Sequence, residues 1–534
     1  MIYYSRVSIM LLIIICTISL CAESYSFVWA NQCGNYQTGA ESRDLIIDNL
    51  GDIVSIGFYS PPATFGNVTF TDGDTFVAKL DTDGNWLWVA NAYTSHSFGR
   101  FRVCSDSNGD IYIAGSFRGV ATFGNFTIVG TNNSYGEIFV AKLNQNGEWL
   151  WAQKIGSGFQ NLVNDITVDT NNNLLLVGWI VSSCSFGSYT LNRGGLIAKI
   201  SSNGSLLSAN CLGGSSLIGQ AIQIDTNGNV YIAGEFTGTD VIGTTIITCN
   251  GISDIFVAKY DDNMVNTWVK RAGGTGRDDV CDIAIENNLL YILGNYETDF
   301  SYGGDSISNN GLWGTFIVQM STDSSWNWIR NYDSQLPAGM DSDNNGNCYI
   351  CGGKAVVNGD SFQFGSYVSK YNNQGDMLWE KITLAPIIRM VKADILGNCY
   401  INGEIYRTTI FDTITLTIPE PQWEDVFIAK LVLSSVNTSD ELNPPMLNIE
   451  AYPNPSHYGS SITFKTNMKK NEQGTLTIYN LRGQVVKNFD IRGEIPSLIW
   501  DGKNDQGQHC ASGVYFYKLR TNSRVSTNKL VLLK

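Results

Sequence analysis

Three aspartates and one arginine are the residues of this 534-residue chain whose types and spacing suggest ligand chemistry. They share one place in a repeated pattern, four residues before the Asp or Glu that begins each of seven similar turns. The residues at this place are Asp44, Arg102, Asp165, Ala221, Asp282, Gly339 and Met390. Carboxylates and a guanidinium brought together could hold a cation or a sugar. The predicted ligand site therefore consists of Asp44, Arg102, Asp165 and Asp282. The structural alternative is that these groups hydrogen-bond neighbouring backbone or meet solvent.

Aspartate-rich turns raise a calcium hypothesis, because calcium is bound by carboxylate and carbonyl oxygens. The stretch DSDNNGN, which starts at Asp341, resembles the first half of an EF-hand loop. Its twelfth position is Gly352, however, where such a loop needs a bidentate Glu. Asp, Asn and Gly also favour tight turns for local reasons. We therefore expect no cofactor, with calcium as the alternative.

The overall composition restricts the partners of the chain. A formal net charge of −15 argues against nucleic acid, because phosphate backbones are bound by basic surfaces. Charged residues make up 16% of the chain, while glycines number 54 and aromatic residues reach 12%. This mixture is typical of many short strands joined by tight turns.

Two alternating phrases indicate an internal repeat. One is exemplified by GDIYIAGSF, which starts at Gly109, and the other by GEIFVAKL, which starts at Gly136. The lysine position of the second phrase is occupied in turn by Lys79, Lys142, Lys199, Lys259, Gln319, Lys370 and Lys430. Seven units of about 58 residues are therefore predicted.

Each unit has the pattern of four strands separated by turns. In the second unit the strands are predicted at residues 101–105, 111–117, 138–143 and 149–154. Four antiparallel strands repeated without helical periodicity predict an all-β, seven-bladed β-propeller, with a solenoid as the alternative. An unpaired strand pattern at residues 26–34 should complete the last blade and close the ring.

The recurring tryptophan and the long loops suggest how the blades pack and where a ligand binds. Trp88 and its equivalents should fill the space between neighbouring blades, with Ala78 beside Trp88 across the hairpin. The inner strands should place the predicted ligand site at the channel mouth. That mouth is expected on the face with the long second-to-third-strand loops, such as residues 118–136.

Sequence motifs for catalysis are sparse. Cys348 and Cys351 form a CxxC pattern, but residues three apart in a strand point to opposite faces. Nucleophile-elbow, Walker and HExxH motifs do not occur in the sequence. These observations favour a non-catalytic binding or adhesion module. The alternative is a secreted polysaccharide-active lyase or hydrolase that uses paired carboxylates, or a PQQ-type propeller enzyme.

The two ends of the chain indicate export. Residues 1–24 have the pattern of a signal peptide, with Arg6 before an apolar stretch at residues 9–20 that is too short to span a bilayer. The mature chain is expected to have no transmembrane segment. The propeller is predicted at residues 25–432, a linker at 433–446 and a small immunoglobulin-like β-sandwich at 447–534.

Family resemblances agree with this organisation. The GNxYIAG and FVAKL…NGxxxW phrases make residues 26–432 similar to SBBP-type seven-bladed β-propeller repeats, which implies the fold and little about function. YPNP, LRGQVV, WDGKNDQGQ, ASGVYFYKL and the terminal KLVLLK make the last domain resemble the C-terminal sorting domain of the type IX (Por) secretion system. This resemblance implies the secretion machinery as a partner, passage through the outer membrane, removal of the domain, and attachment to the surface or release. Glycans or surface proteins are the expected ligands.

Overall fold

The structure is a computed structural model of the full chain. It describes residues 24–34, 39–130, 136–156, 161–332, 336–343, 345–358, 361–384, 386–418, 424–434, 449–452, 454–457, 461–466, 473–481, 483–492, 498–521 and 525–533. Apart from Ser24, the predicted signal peptide lies outside these residues, and so does the predicted linker beyond Ser434. The chain divides into two compact units between residues 436 and 437.

The described part of the first unit consists of strands that form seven four-stranded antiparallel blades. Blades 1 and 2 share one long strand and therefore form a single sheet. From inner to outer, the strands of blade 1 are Ala40–Ile47, Ile53–Tyr59, Thr75–Leu80 and the first part of Trp86–Ser105. Those of blade 2 are the last part of Trp86–Ser105, Ile111–Phe123, Glu137–Leu143 and Trp149–Ile155. Those of blade 3 are Asn161–Val168, Leu174–Ile180, Gly194–Ile200 and Leu206–Cys211.

The remaining blades are described in the same order, from the inner to the outer strand. The strands of blade 4 are Ile218–Ile224, Val230–Phe236, Asp254–Tyr260 and Asn266–Ala272. Those of blade 5 are Asp278–Glu286, Leu289–Tyr302, Asp305–Ser321 and Trp326–Tyr332. Those of blade 6 are Leu336–Ser342, Cys348–Asn358, Ser361–Tyr371 and Met377–Leu384. Those of blade 7 are Pro386–Ala393, Cys399–Ile405, Asp425–Ser434 and Ser24–Cys33.

The blades form a closed ring, which confirms the predicted propeller fold. Each inner strand contacts the inner strand of the next blade, and the inner strand of blade 7 contacts that of blade 1. The N-terminal strand pairs with Asp425–Ser434 in a register that runs from Ser24 opposite Ser434 to Cys33 opposite Val426. The predicted closure by the N-terminal strand is therefore present, and it covers what would otherwise be an open edge.

Buried lysines explain why the second phrase recurs. In blade 2, the Lys142 Nζ atom lies 3.1 Å from the Asp106 Oδ2 atom and 2.9 Å from the Asp110 Oδ2 atom. It also lies 4.6 Å from the centre of the Tyr112 ring, and the Tyr112 hydroxyl donates to the Asn172 carbonyl of blade 3. Lys142 is buried, and its neutralisation by carboxylates offsets the cost of that burial. The phrase therefore links the first turn, the second strand and the next blade.

The recurring tryptophan packs between blades as predicted, but its cross-strand partner differs. Trp88 lies opposite Lys79 rather than Ala78, because the register shifts between Lys79 and Leu80. The Trp88 Nε1 atom donates to the Gln145 carbonyl of blade 2 at 2.9 Å. A Cβ atom added at Gly147 would lie 2.6 Å from the indole, and Gly147 has a φ of +83°. This glycine is therefore required both by the turn and by the neighbouring indole.

The second-to-third-strand connections mostly fold into short hairpins. Beyond the continuation of Ile111–Phe123 into Phe126–Val129, the hairpins are Ala63–Phe65 with Val68–Phe70, Cys184–Phe186 with Tyr189–Leu191, Thr239–Ile242 with Thr245–Thr248, and Thr409–Phe411 with Ile414–Leu416. In blades 2, 3, 4 and 7 they contact the outer strand of their blade. The expectation that residues 118–136 shape a pocket is therefore wrong for their described part, which packs on the outer edge.

The second unit has two β-sheets that share one core. One sheet contains Ile449–Tyr452, Ile462–Thr466 and Leu498–Trp500. The other contains Ser456–His457, Gln473–Asn480, Val485–Arg492, Gly513–Thr521 and Val525–Leu533. Phe464 of the first sheet and Tyr517 of the second meet in this core, with ring centres 4.9 Å apart. The arrangement agrees with the predicted β-sandwich.

Candidate functional site

A β-bulge precedes the predicted site position in all seven inner strands. The register shifts immediately before Asp44, Arg102, Asp165, Ala221, Asp282, Gly339 and Met390. A bulge redirects the following side chain and leaves backbone groups without ladder partners. The bulges therefore determine both where these side chains lie and what they can bond.

Each of the three aspartates connects its own blade to the next one. The Asp44 Oδ2 atom accepts a hydrogen bond from the Val103 N–H at 2.9 Å, and its Oδ1 atom accepts one from Leu45. The carboxylate of Asp165 accepts hydrogen bonds from Ile166 in its own strand and from Ile222 in blade 4. The carboxylate of Asp282 accepts the corresponding bonds from Ile283 and from Met340 in blade 6. Hydrogen bonding to neighbouring backbone, the structural alternative in the sequence analysis, is therefore present at all three positions.

The four predicted residues nevertheless line one cavity. Asp44, Arg102, Asp165 and Asp282 border a cavity of about 300 Å³ inside the ring of inner strands. Asp341 and Lys392 line the same cavity, as do the neutral polar side chains of Thr167 and Gln223. The role of these residues in binding stays a prediction.

Asp341 and Lys392 are not among the predicted residues, because counting back four residues from each turn selects a single position per inner strand. They lie two residues after Gly339 and Met390, and side chains two apart in a strand point to the same face. The Lys392 Nζ atom lies 3.6 Å from the Asp341 Oδ1 atom, and the Asp341 Oδ2 atom accepts the Ala393 N–H. The period of two was therefore the signal that could have identified both residues.

The cavity extends in the direction opposite to the one predicted. Its lining runs from Asp44 to Ile47 and from Arg102 to Ser105, toward the ends of the inner strands and the short first turns. Residues at the starts of these strands, nearer the long second-to-third loops, do not line it. The predicted position of the site on the long-loop face is therefore corrected.

Electrostatics in the cavity are set by burial and by closely spaced opposite charges. Burial raises the pKa of Asp44, Asp165 and Asp341, with that of Asp165 reaching about 7, although the nearby cations oppose the shift. Burial alone would lower the pKa of Arg102 and Lys392, but the surrounding carboxylates outweigh it and raise both. The Arg102 Nε atom lies 3.7 Å from the Asp165 Oδ1 atom and donates to the Asn164 carbonyl. Four carboxyl groups and two basic side chains therefore line the cavity, and the Arg100 side chain, outside the lining, acts on Asp165 and Asp282 as well.

The aspartate-rich turns have a structural role of their own. The Asp343 Oδ1 atom accepts the backbone N–H groups of Asn345 and Asn347, and Asp106 does the same for Asn108 and Asp110. These bonds are those of Asx turns. Across the described ranges, no group of three or more His, Cys, Asp and Glu side chains could hold a metal ion.

The CxxC pair does not form a site. Cys348 packs in the cluster with Met340 and Tyr367, whereas Cys351 packs in a different cluster with Phe427. The two thiols therefore point to opposite faces of their strand, as the strand pattern predicts.

The second unit matches a known family. Residues 450–533 match the secretion system C-terminal sorting domain. This confirms the resemblance of the last domain to type IX sorting domains and implies interaction with that secretion machinery. The protein is exported to the cell surface or secreted. No helix in the described ranges is long and apolar enough to cross a membrane.

Comparisons of the whole chain give remote similarities. An uncharacterized WD repeat-containing protein, L264, of Acanthamoeba polyphaga mimivirus is 24% identical over 243 residues. That alignment covers 37% of this chain, and the chain spans only 17% of the length of that protein.

Solved structures with similar chains include PorZ, a bacterial surface component of the type IX secretion system of Porphyromonas gingivalis. It is 12% identical with a TM-score of 0.35, and the match covers 90% of this chain and 68% of PorZ. The Dos1 propeller is 9% identical with a TM-score of 0.33, and the match covers 83% of this chain and 96% of Dos1. At these TM-scores, the similarities carry no argument about activity.

Proposed function

We propose that this chain is a non-catalytic binding or adhesion protein, built of SBBP-type propeller repeats and delivered outside the cell by the type IX secretion system. The observation that carries the proposal is the polar cavity inside the ring of inner strands, where four carboxyl groups face two basic side chains. The sorting domain supplies the export, and the propeller supplies a rigid frame for the cavity. Removal of the sorting domain after export is part of the proposal.

The charges of the cavity favour a ligand with a positive group. Arg102 acts on Asp44, Asp165 and Asp282, and Lys392 is paired with Asp341, so carboxyl groups outnumber basic side chains in the cavity lining. Asp282 lines the same space and has no basic partner within ion-pair distance among the described residues. An ammonium group would supply the missing charge, and the cavity volume suits a small molecule. We therefore propose an ammonium-bearing sugar or another small hydroxylated amine as ligand.

The hydrogen bonds of the aspartates favour binding over proton transfer. Both oxygens of Asp282 accept backbone N–H groups, from Ile283 and Met340. A carboxylate held by two backbone donors in this way is fixed in place. Such a group suits a charged wall better than a general acid that must exchange a proton with substrate.

A pair of lysine substitutions tests the proposal. Gln223→Lys adds a positive charge inside the cavity, whereas Gln374→Lys adds the same charge on an exposed turn of blade 6. Both variants and the unaltered protein would be screened against immobilised amino sugars, N-acetylated sugars and sugar acids. We expect the unaltered protein and Gln374→Lys to retain amino sugars and Gln223→Lys to bind them at least about tenfold more weakly.

Two results would contradict the proposal. One is preferential retention of sugar acids, which would indicate that Arg102 and Lys392 dominate the cavity. The other is equal binding of amino sugars by all three proteins, which would place the ligand elsewhere. Turnover of any retained sugar would favour the enzyme alternative, a polysaccharide-active protein.

A further inference from the structure

Blade 3 lacks a side-chain bond that several other blades have. In blades 2, 4 and 7 an acidic residue at the start of the third strand bonds a residue near the end of the outer strand. The pairs are Glu137 with Lys154, Asp254 with Arg271, and Asp425 with Gln32. The matching positions in blade 3 are Gly194 and Cys211, as the strand register shows. Blade 3 therefore has a glycine at the acid position and a cysteine at the donor position.

A second cysteine lies beside the same place. Cys184 begins the short hairpin of blade 3 and stands directly opposite Leu191. The hairpin packs on the outer strand, where the Tyr189 hydroxyl donates to the Leu207 carbonyl at 2.9 Å. The Cys211 Sγ atom lies 3.6 Å from the carbonyl oxygen of Asn192, the residue after Leu191. Cys184 is therefore paired with Leu191, and the thiol of Cys211 contacts the carbonyl of the next residue, Asn192.

The surroundings of the two thiols agree with this proximity. Cys184 is buried in a hydrophobic cluster, and Cys211 packs against that cluster. Burial raises the pKa of Cys184 to about 11, and the neighbouring Cys211 contributes to the shift. Cys211 is the less buried of the two and is the thiol that an external reagent reaches first. In the other described hairpins of this type, the position of Cys184 is held by Ala63, Ala121, Asp240 and Thr409.

We propose that Cys184 and Cys211 form a disulfide once the protein has left the cytoplasm. Export places the chain in compartments where disulfides form and persist. A dithiol–disulfide oxidoreductase of the cell envelope is the oxidant. The Cys211 thiolate attacks the oxidant's disulfide to form a mixed disulfide, and the Cys184 thiolate then displaces the oxidant, which leaves as a dithiol. Two thiols lose two electrons and two protons, and the oxidant gains them.

The bond would join the hairpin Cys184–Phe186 to the outer strand Leu206–Cys211. It would replace the side-chain bond that Glu137 and Lys154 make in blade 2. This inference concerns the edge of blade 3 and is independent of the ligand proposed for the central cavity.

Peptide mapping of the exported full-length protein tests the bond directly. The protein would be alkylated without reductant and digested with trypsin, which places Cys184 in residues 155–193 and Cys211 in residues 200–259. A further cut before Asp225 separates Cys211 from Cys249. We expect the two cysteine peptides to appear as one cross-linked species that reduction splits. Recovery of both as separate alkylated peptides would overturn the proposal.

Thiol counts in serine variants give a second readout that does not depend on peptide recovery. Counted in unfolded, unreduced protein, Cys184→Ser and Cys211→Ser should each have one free thiol more than the unaltered protein. The double variant should match the unaltered protein. The control Cys249→Ser should have one thiol fewer. If Cys184 and Cys211 are not bonded, each single variant has one thiol fewer and the double variant two fewer.

Discussion

Replacing Gly147 with alanine should reveal how much each blade depends on the tryptophan of its neighbour. Gly147 has a φ of +83°, and an added Cβ atom would lie 2.6 Å from the Trp88 indole. Gly228 has nearly the same φ, +84°, but the nearest atom to its added Cβ lies 3.7 Å away. Gly228→Ala is therefore a matched control that changes the backbone term alone.

The expected magnitudes follow from these two terms. A left-handed alanine costs about 1 kcal/mol, so Gly228→Ala should lower the free energy of unfolding by about that amount. Overpacking against a fixed side chain costs about 2 kcal/mol more, so Gly147→Ala should lower it by about 3 kcal/mol. Guanidinium unfolding followed by tryptophan fluorescence would measure both changes.

A double-mutant cycle makes the reasoning refutable. In a Trp88→Ala background, the collision partner of the new Cβ atom is gone. Gly147→Ala should then cost no more than Gly228→Ala, within about 0.5 kcal/mol. If Gly147→Ala and Gly228→Ala destabilise the unaltered protein equally, the indole does not pack on this turn in solution and the account of the repeat is wrong.

Three further predictions concern export, closure and the cavity. Deleting residues 447–534 should retain the protein in the periplasm with the propeller folded. Cell fractionation would show the location and circular dichroism the folding. Normal release of the shortened protein would contradict the assignment of these residues as a sorting domain. Phe27→Ala should lower the free energy of unfolding by about 3 kcal/mol, because Phe27 is buried against Phe411. The control Val28→Ala, at a neighbouring position that is 49% exposed, should change it by less than about 0.5 kcal/mol. Equal effects would show that the N-terminal strand is not docked. The affinity for choline, a hydroxylated quaternary ammonium whose charge does not change with pH, should rise up to about tenfold between pH 6 and pH 8 in calorimetry. The reason is that Asp165, whose pKa is about 7, loses its proton over this range. The same ionisation should lower stability as the pH rises from about 4 to about 7, since the pKa of this acid is higher in the folded state. An affinity that does not change with pH would show that Asp165 does not contribute to binding.

The repeat was predictable from sequence because every blade solves the same packing problem. Lys142, its carboxylate partners and Trp88 recur at fixed spacing, and their burial follows from that spacing. The cross-strand partner of Trp88 was wrong by one residue because a bulge follows Lys79, and a bulge leaves no mark in the alternation of apolar residues. Register at such points depends on backbone geometry.

The candidate site was predictable in part. Counting back from each turn located Asp44, Arg102, Asp165 and Asp282 on the inner wall, since the same number of residues separates this position from the turn in every inner strand. The counting did not show that the Asp44 carboxylate bonds Val103 in the next blade, because that bond depends on a backbone N–H left free by a bulge. The second-to-third loops were misplaced because loop direction is set by tertiary packing.

Closure by the first and last propeller strands has a consequence for the order of folding. The Gln32 side chain bonds Asp425, 393 residues later, so this contact cannot form until nearly the whole propeller has been synthesised. Bringing together chain ends separated by about 400 residues costs about 5 kcal/mol of loop-closure entropy, unless intervening blades have already folded and shortened the gap. The ring should therefore assemble blade by blade and close last.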